Sequence, residues 1–71
     1  MSLEFRATMD PHSLDVLRRG RIVAMIQWHP EREPHFEARH GFESAQGSTG
    51  FTTSELREMA DRLDEEVRRS R

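Results

Sequence analysis

The chain has 71 residues, 34% of them hydrophobic and 34% charged, and its net charge of −2 provides no basic excess of the kind that marks nucleic-acid-binding domains. A sequence of this length supports one domain with a small core, so residues 1–71 are expected to form a single domain. Cysteine and lysine are both absent, which excludes disulfides, thiolate metal sites and lysine Schiff bases. No apolar run is long enough for a membrane helix, and we expect a cytoplasmic protein.

The first predicted element is a β-strand over residues 3–9, where apolar and polar side chains alternate. This alternation is typical of a strand that is buried on one face only. Its inward residues would be Leu3, Phe5 and Ala7.

A short helix is predicted over residues 11–19 from the residues at its ends. Asp10 suits an N-cap, Pro11 suits the first helical position, and Gly20 suits the residue just past the end. The alternative is a strand across residues 14–17 that turns at Gly20 and the arginine before it.

Two further strands are predicted on either side of a proline-containing turn. Residues 21–28 are apolar on both faces, as in the middle of a sheet, and residues 35–42 alternate again. Pro30 and Pro34 lie between them and cannot donate to a ladder, so the two strands should form a hairpin.

The last third of the chain predicts a well-specified amphipathic helix after a flexible loop at residues 43–50. Thr52 and Glu55 make a capping box, and Phe51 and Leu56 have the spacing of a hydrophobic staple. One apolar stripe follows, and the basic tail at residues 68–71 is expected to fray. The stripe consists of Leu56, Met59, Ala60, Leu63 and Val67.

These elements predict a small two-layer α+β domain. It would contain a three-stranded antiparallel sheet, the C-terminal amphipathic helix packed on one face, and the candidate short helix between strands 1 and 2. The core layer beneath the C-terminal helix would include Ile22, Ala24, Ile26, Trp28, Phe36, Ala38 and Phe42.

The sheet face opposite the C-terminal helix is the best functional candidate. Val23 and Met25 would lie at its apolar centre, inside a rim of charged and polar side chains, which is a pattern typical of protein interfaces. The alternative is that the helix at residues 11–19 covers both apolar residues. The predicted partner-binding residues are Val23, Met25, Arg6, His35, Glu37 and Arg39.

A nucleic-acid interface is the second hypothesis, because several arginines lie near Trp28 in the predicted fold. Strand-binding domains need exposed aromatic side chains, whereas this pattern places the aromatic residues in the core. The arginines concerned are Arg18, Arg19, Arg21 and Arg39.

Four histidines raise the question of a metal site. His29 and His35 flank the hairpin turn, where Glu31 or Glu33 could add an oxygen ligand. No ligand motif of a known type is present, and His40 lies on the strand face opposite His35. Solvated or turn histidines therefore explain the pattern better, and we predict neither a metal nor another cofactor.

The sequence predicts a non-enzymatic interaction module, such as a regulator, an inhibitor or an accessory subunit. It would bind itself or a partner protein through the open sheet face or an edge strand, with nucleic-acid binding as the alternative. It contains neither a catalytic cysteine nor a Gly-x-Ser-x-Gly elbow, and a domain of this size has little room for an enclosed pocket. No catalytic residue is predicted.

Overall fold

The computed structural model describes residues 3–38 and 50–70. It contains a four-stranded antiparallel sheet in the order β1-β2-β3-β4 and one C-terminal helix, which confirms the α+β class. The prediction of three strands was wrong, because the segment between the first two predicted strands is itself a strand. The elements are β1 (Glu4–Ala7), β2 (Ser13–Arg18), β3 (Arg21–Gln27), β4 (His35–Ala38) and α1 (Thr53–Arg69).

The helix predicted over residues 11–19 does not form, and β2 occupies most of that segment. The Asp10 carboxylate accepts the His12 backbone N–H at 2.9 Å, so the aspartate closes a turn rather than capping a helix. Beyond the turn, Leu14 and Val16 are both buried on one face, which is the period of a strand.

The alternative of a strand that turns at Gly20 is confirmed. Arg18 pairs with Arg21, so the loop has two residues, and both lie in the left-handed region, with φ of 52° at Arg19 and 80° at Gly20. Positive φ at both central positions is the pattern of a type I′ hairpin turn, whose twist matches that of the flanking strands.

A register irregularity between β2 and β3 changes the direction of one key side chain. Val16 pairs with Ala24 and Leu17 pairs with Ile22, so Val23 has no counterpart on β2. Such a bulge interrupts the strict alternation of faces. Val23 is accordingly fully buried in the core cluster and does not join Met25 on the opposite face.

The core lies between the sheet and α1. Val16, Ile26 and Met59 are at most 2% exposed, and the predicted inward side chain of Trp28 is also buried. Phe5, Phe51, Leu63 and Val67 pack around them. A mixed core of strand and helix residues fixes α1 against one face of the sheet.

The predicted N-terminus of α1 is confirmed. The Thr52 side chain accepts the Glu55 N–H at 3.1 Å, and the Glu55 carboxylate accepts the Thr52 N–H at 2.9 Å, which is a complete capping box. The prediction that Leu56 belongs to the buried stripe is wrong, because this residue is 42% exposed. The helix also continues to Arg69, into the segment that was expected to fray.

Candidate functional site

The face of the sheet opposite α1 carries a row of side chains from all four strands. Residues paired in an antiparallel sheet share a face, and the register aligns Arg6 with Asp15, Asp15 with Met25, and Met25 with Glu37. Arg6 and Glu37 are exposed at the two sheet edges, whereas the central pair is half-buried. Within the described residues, no helix covers this row.

His35, the first residue of β4, lies on the same face as Glu37. Its Nε2 lies 3.2 Å from the Glu37 carboxylate, and its Nδ1 lies 3.2 Å from the Glu33 carbonyl oxygen. The structure thus brings together four of the predicted partner-binding residues, namely Arg6, Met25, His35 and Glu37. Val23 is not among them because of the bulge, and Arg39 lies outside the described residues.

Of the arginines in the nucleic-acid hypothesis, the three that lie within the described residues do not form one open cluster. Arg18 lies toward α1, where its guanidinium donates to both oxygens of the Glu55 carboxylate at 2.7 and 2.8 Å. It also lies 5.3 Å from the centre of the Phe51 ring. Arg19 and Arg21 are exposed at the hairpin turn. Arg18 therefore links the sheet to the helix.

The same ion pair changes the ionisation of Glu55. Hydrogen bonding from Arg18 lowers the pKa of this carboxyl below its ordinary value of 4.5, and the hydrogen bonds with Thr52 act in the same direction. Burial opposes these effects, because the Glu55 side chain is only 8% exposed. The charge is therefore retained at the junction of β2 and α1.

An apolar groove runs between β4 and α1 on the helix side of the sheet. Phe36 is 40% exposed and Leu56 42% exposed on its two walls, although the sequence pattern placed both in the core. The groove has a volume of about 280 Å³, and Met59, Ala60 and Leu63 complete its lining. The alternating pattern correctly placed Phe36 on the helix side of the sheet. The residue is nevertheless exposed, because α1 leaves the groove open beside β4.

A second group of polar side chains lies at one end of the sheet. Asp10 and His12 from the β1–β2 turn meet His29, which follows β3, and their potential ligand atoms all lie within 4.8 Å of one another. His29 was predicted to approach His35 across the hairpin turn. In this group its neighbours are instead Asp10 and His12. Asp10 and His12 were missed because their positions depend on β2, and the sequence carries no ligand motif that marks them.

Comparisons with known proteins provide no further assignment. The chain has no match among family models, curated proteins or solved structures. In the described part of the chain, α1 is too polar to cross a membrane, and no other helix is present there.

Proposed function

We propose that this chain is a small non-enzymatic interaction protein that pairs with a second copy of itself through the outer edge of β4. The observation that carries the proposal is the position of β4, which has β3 on one side and no strand on the other among residues 3–38 and 50–70. Such an edge presents unpaired N–H and C=O groups that can accept another strand. The flanking apolar groove distinguishes this edge from an ordinary solvated one.

The sequence of β4 is complementary to itself in an antiparallel pair. If a two-fold axis passes through Phe36, the pairing places His35 opposite Glu37 of the second copy, and it does so twice. The two Phe36 side chains then lie opposite each other on the helix side. Cross-strand aromatic pairs and opposite charges are the side-chain pairs that stabilise sheets.

Apolar burial would supply the driving force. Phe36 and Leu56 are the large exposed hydrophobic residues that flank the groove, and two copies would bring two such grooves together. Removing apolar surface from water is the main favourable term in protein association. The row containing Arg6 and Met25 would remain uncovered on the opposite face, available to another protein that this one regulates, inhibits or assists.

The test is the molar mass of the protein across a range of concentrations, measured by sedimentation equilibrium. We expect a monomer–dimer equilibrium in the native chain and at least a tenfold weaker dimer in Phe36→Glu, because two carboxylates would face each other at the centre. Arg6→Gln is the matched control, since it changes the net charge by the same amount at the far edge of the sheet and should leave the dimer unchanged. Met25→Lys adds a charge at the centre of the opposite face and tests that face as the alternative interface.

A charge exchange separates loss of the interface from loss of folding. His35→Glu should weaken the dimer by placing two carboxylates opposite each other, and the double variant His35→Glu/Glu37→His should restore it. A native chain that stays monomeric at millimolar concentration would overturn the proposal. Loss of the dimer in Met25→Lys but not in Phe36→Glu would show that the interface is the sheet face opposite α1 and not the β4 edge.

A further inference from the structure

The group formed by Asp10, His12 and His29 has the composition of a metal site. The Asp10 carboxylate lies 2.9 Å from His29 Nε2, and the rings of His12 and His29 are 5.4 Å apart. Imidazole nitrogen and carboxylate oxygen together suit zinc and neighbouring transition metals, whereas magnesium and calcium prefer oxygen alone. The side chains of Asp10 and His29 are 37% and 28% exposed, so an ion has access from solvent.

Hydrogen bonds from three backbone N–H groups hold two separate segments of the chain in place around this group. Thr8 Oγ1 accepts the Asp10 N–H at 3.0 Å, and the Asp10 carboxylate accepts the His12 N–H at 2.9 Å. The Trp28 N–H then donates to the His12 carbonyl at 2.9 Å, which fixes the residue before His29 against the turn. These bonds fix the backbone beneath all three side chains.

The distances are close to those that coordination requires. With metal–ligand bonds of about 2.0–2.1 Å, the donor atoms of a tetrahedral zinc site lie about 3.3 Å apart. The Asp10 carboxylate oxygen and His29 Nε2, now 2.9 Å apart, would need to separate only slightly to admit an ion, and side-chain rotation of His12 would bring in the third donor.

We propose that Asp10, His12 and His29 bind a divalent transition-metal ion such as Zn²⁺ through one carboxylate oxygen and two imidazole nitrogens. Three protein ligands leave a coordination position open. Both histidines line a cavity of about 360 Å³ that also contacts Arg32 and Val67, so a water molecule or a small anion has room to occupy that position. None of the three ligands lies on β4, so the site does not depend on self-association.

The experiment uses the untagged 71-residue chain, stripped of metal with a chelator. Zinc binding is measured by calorimetry, and Co²⁺ serves as a spectroscopic probe, since its visible absorption reports a low coordination number. We expect one ion per chain and a loss of at least about tenfold in affinity in Asp10→Asn and in His29→Gln. Asp10→Asn retains an acceptor for the His12 N–H, so it tests the ligand while preserving the turn.

Two controls make the result specific to this site. His35→Gln removes a histidine on β4 and should leave zinc affinity unchanged, as should Phe36→Glu. Zinc should raise the thermal midpoint of the native chain and of both controls, but not of the two ligand variants. Absence of stoichiometric binding at micromolar zinc would overturn the proposal, and so would equal affinity in the native chain, Asp10→Asn and His29→Gln. In that last case the ion binds elsewhere, and Asp10 and His29 are only in hydrogen-bonding contact.

Discussion

The two edge strands of the sheet, β1 and β4, have equal lengths but differ in their contacts with α1. At β1, the Leu3 N–H donates to the Glu58 carboxylate at 2.8 Å, and the Arg62 guanidinium lies 5.1 Å from the centre of the Phe5 ring. At β4, the corresponding space is the apolar groove beside Phe36. One edge is therefore held by α1, and the other is open to a partner. Which strand edge is exposed therefore depends on where α1 crosses the sheet.

The largest expected difference between the two edges comes from the same substitution on each strand. Phe5→Ala should cost about 2–3 kcal/mol of unfolding free energy, because Phe5 is half-buried against the core. Phe36→Ala should cost less, about 1 kcal/mol in the monomer, because this residue is 40% exposed and loses mainly the edge-to-face contact of its ring with Phe51. Urea unfolding at concentrations below the onset of association measures both. Equal losses would mean that the groove is closed in solution.

An intermediate effect is expected at the ion pair that ties β2 to α1. Because the native pKa of Glu55 lies below its unfolded value, its contribution is full at neutral pH. That contribution is lost as pH falls below 4.5 toward the lowered native pKa. Glu55→Gln should therefore be less stable than the native chain by about 1–2 kcal/mol at neutral pH.

The corresponding measurement is urea unfolding of both proteins at stepwise lower pH. The difference between native chain and Glu55→Gln should shrink toward zero in acid. A gap that stays constant through the acid range would show that the charge of Glu55 makes no difference and that shape alone accounts for the loss. Glu65→Gln is the control, since its ion pair with Arg69 is exposed and should contribute little.

The smallest expected effect is at the hydrogen bond that holds the start of β1. Glu58→Gln should cost about 0.5 kcal/mol, because the amide oxygen still accepts the Leu3 N–H and only the charge is lost. Amide exchange at Leu3 should speed up more than exchange within β2. Unchanged exchange would mean that the β1 edge is held by Phe5 and its neighbours without help from this bond.

The features that were predicted correctly depend on residues that are close to one another in the sequence. Thr52 and Glu55 specify the helix start by themselves, and alternation placed Met25 and Glu37 on one face. The Asp-Pro step at Asp10 was ambiguous, because the same side chain that caps a helix also closes a turn.

The features that were missed depend on pairing between distant segments. The bulge at Val23 exists only once β2 pairs with β3, and it is what removes this residue from the open face. His12 and His29 meet only because the new strand carries the first turn to the end of β3. The exposure of Phe36 similarly follows from where α1 crosses the sheet. None of these positions has a local signature in the chain.

Glu55 has a further consequence for how the molecule opens. One carboxylate closes the capping box at Thr52 and also receives the guanidinium of Arg18. The first turn of α1 therefore cannot unwind without releasing the end of the β2–β3 hairpin, and the hairpin cannot detach without exposing the helix start. A helix end, ordinarily among the first places to fray, is here part of the same cooperative unit as the centre of the sheet.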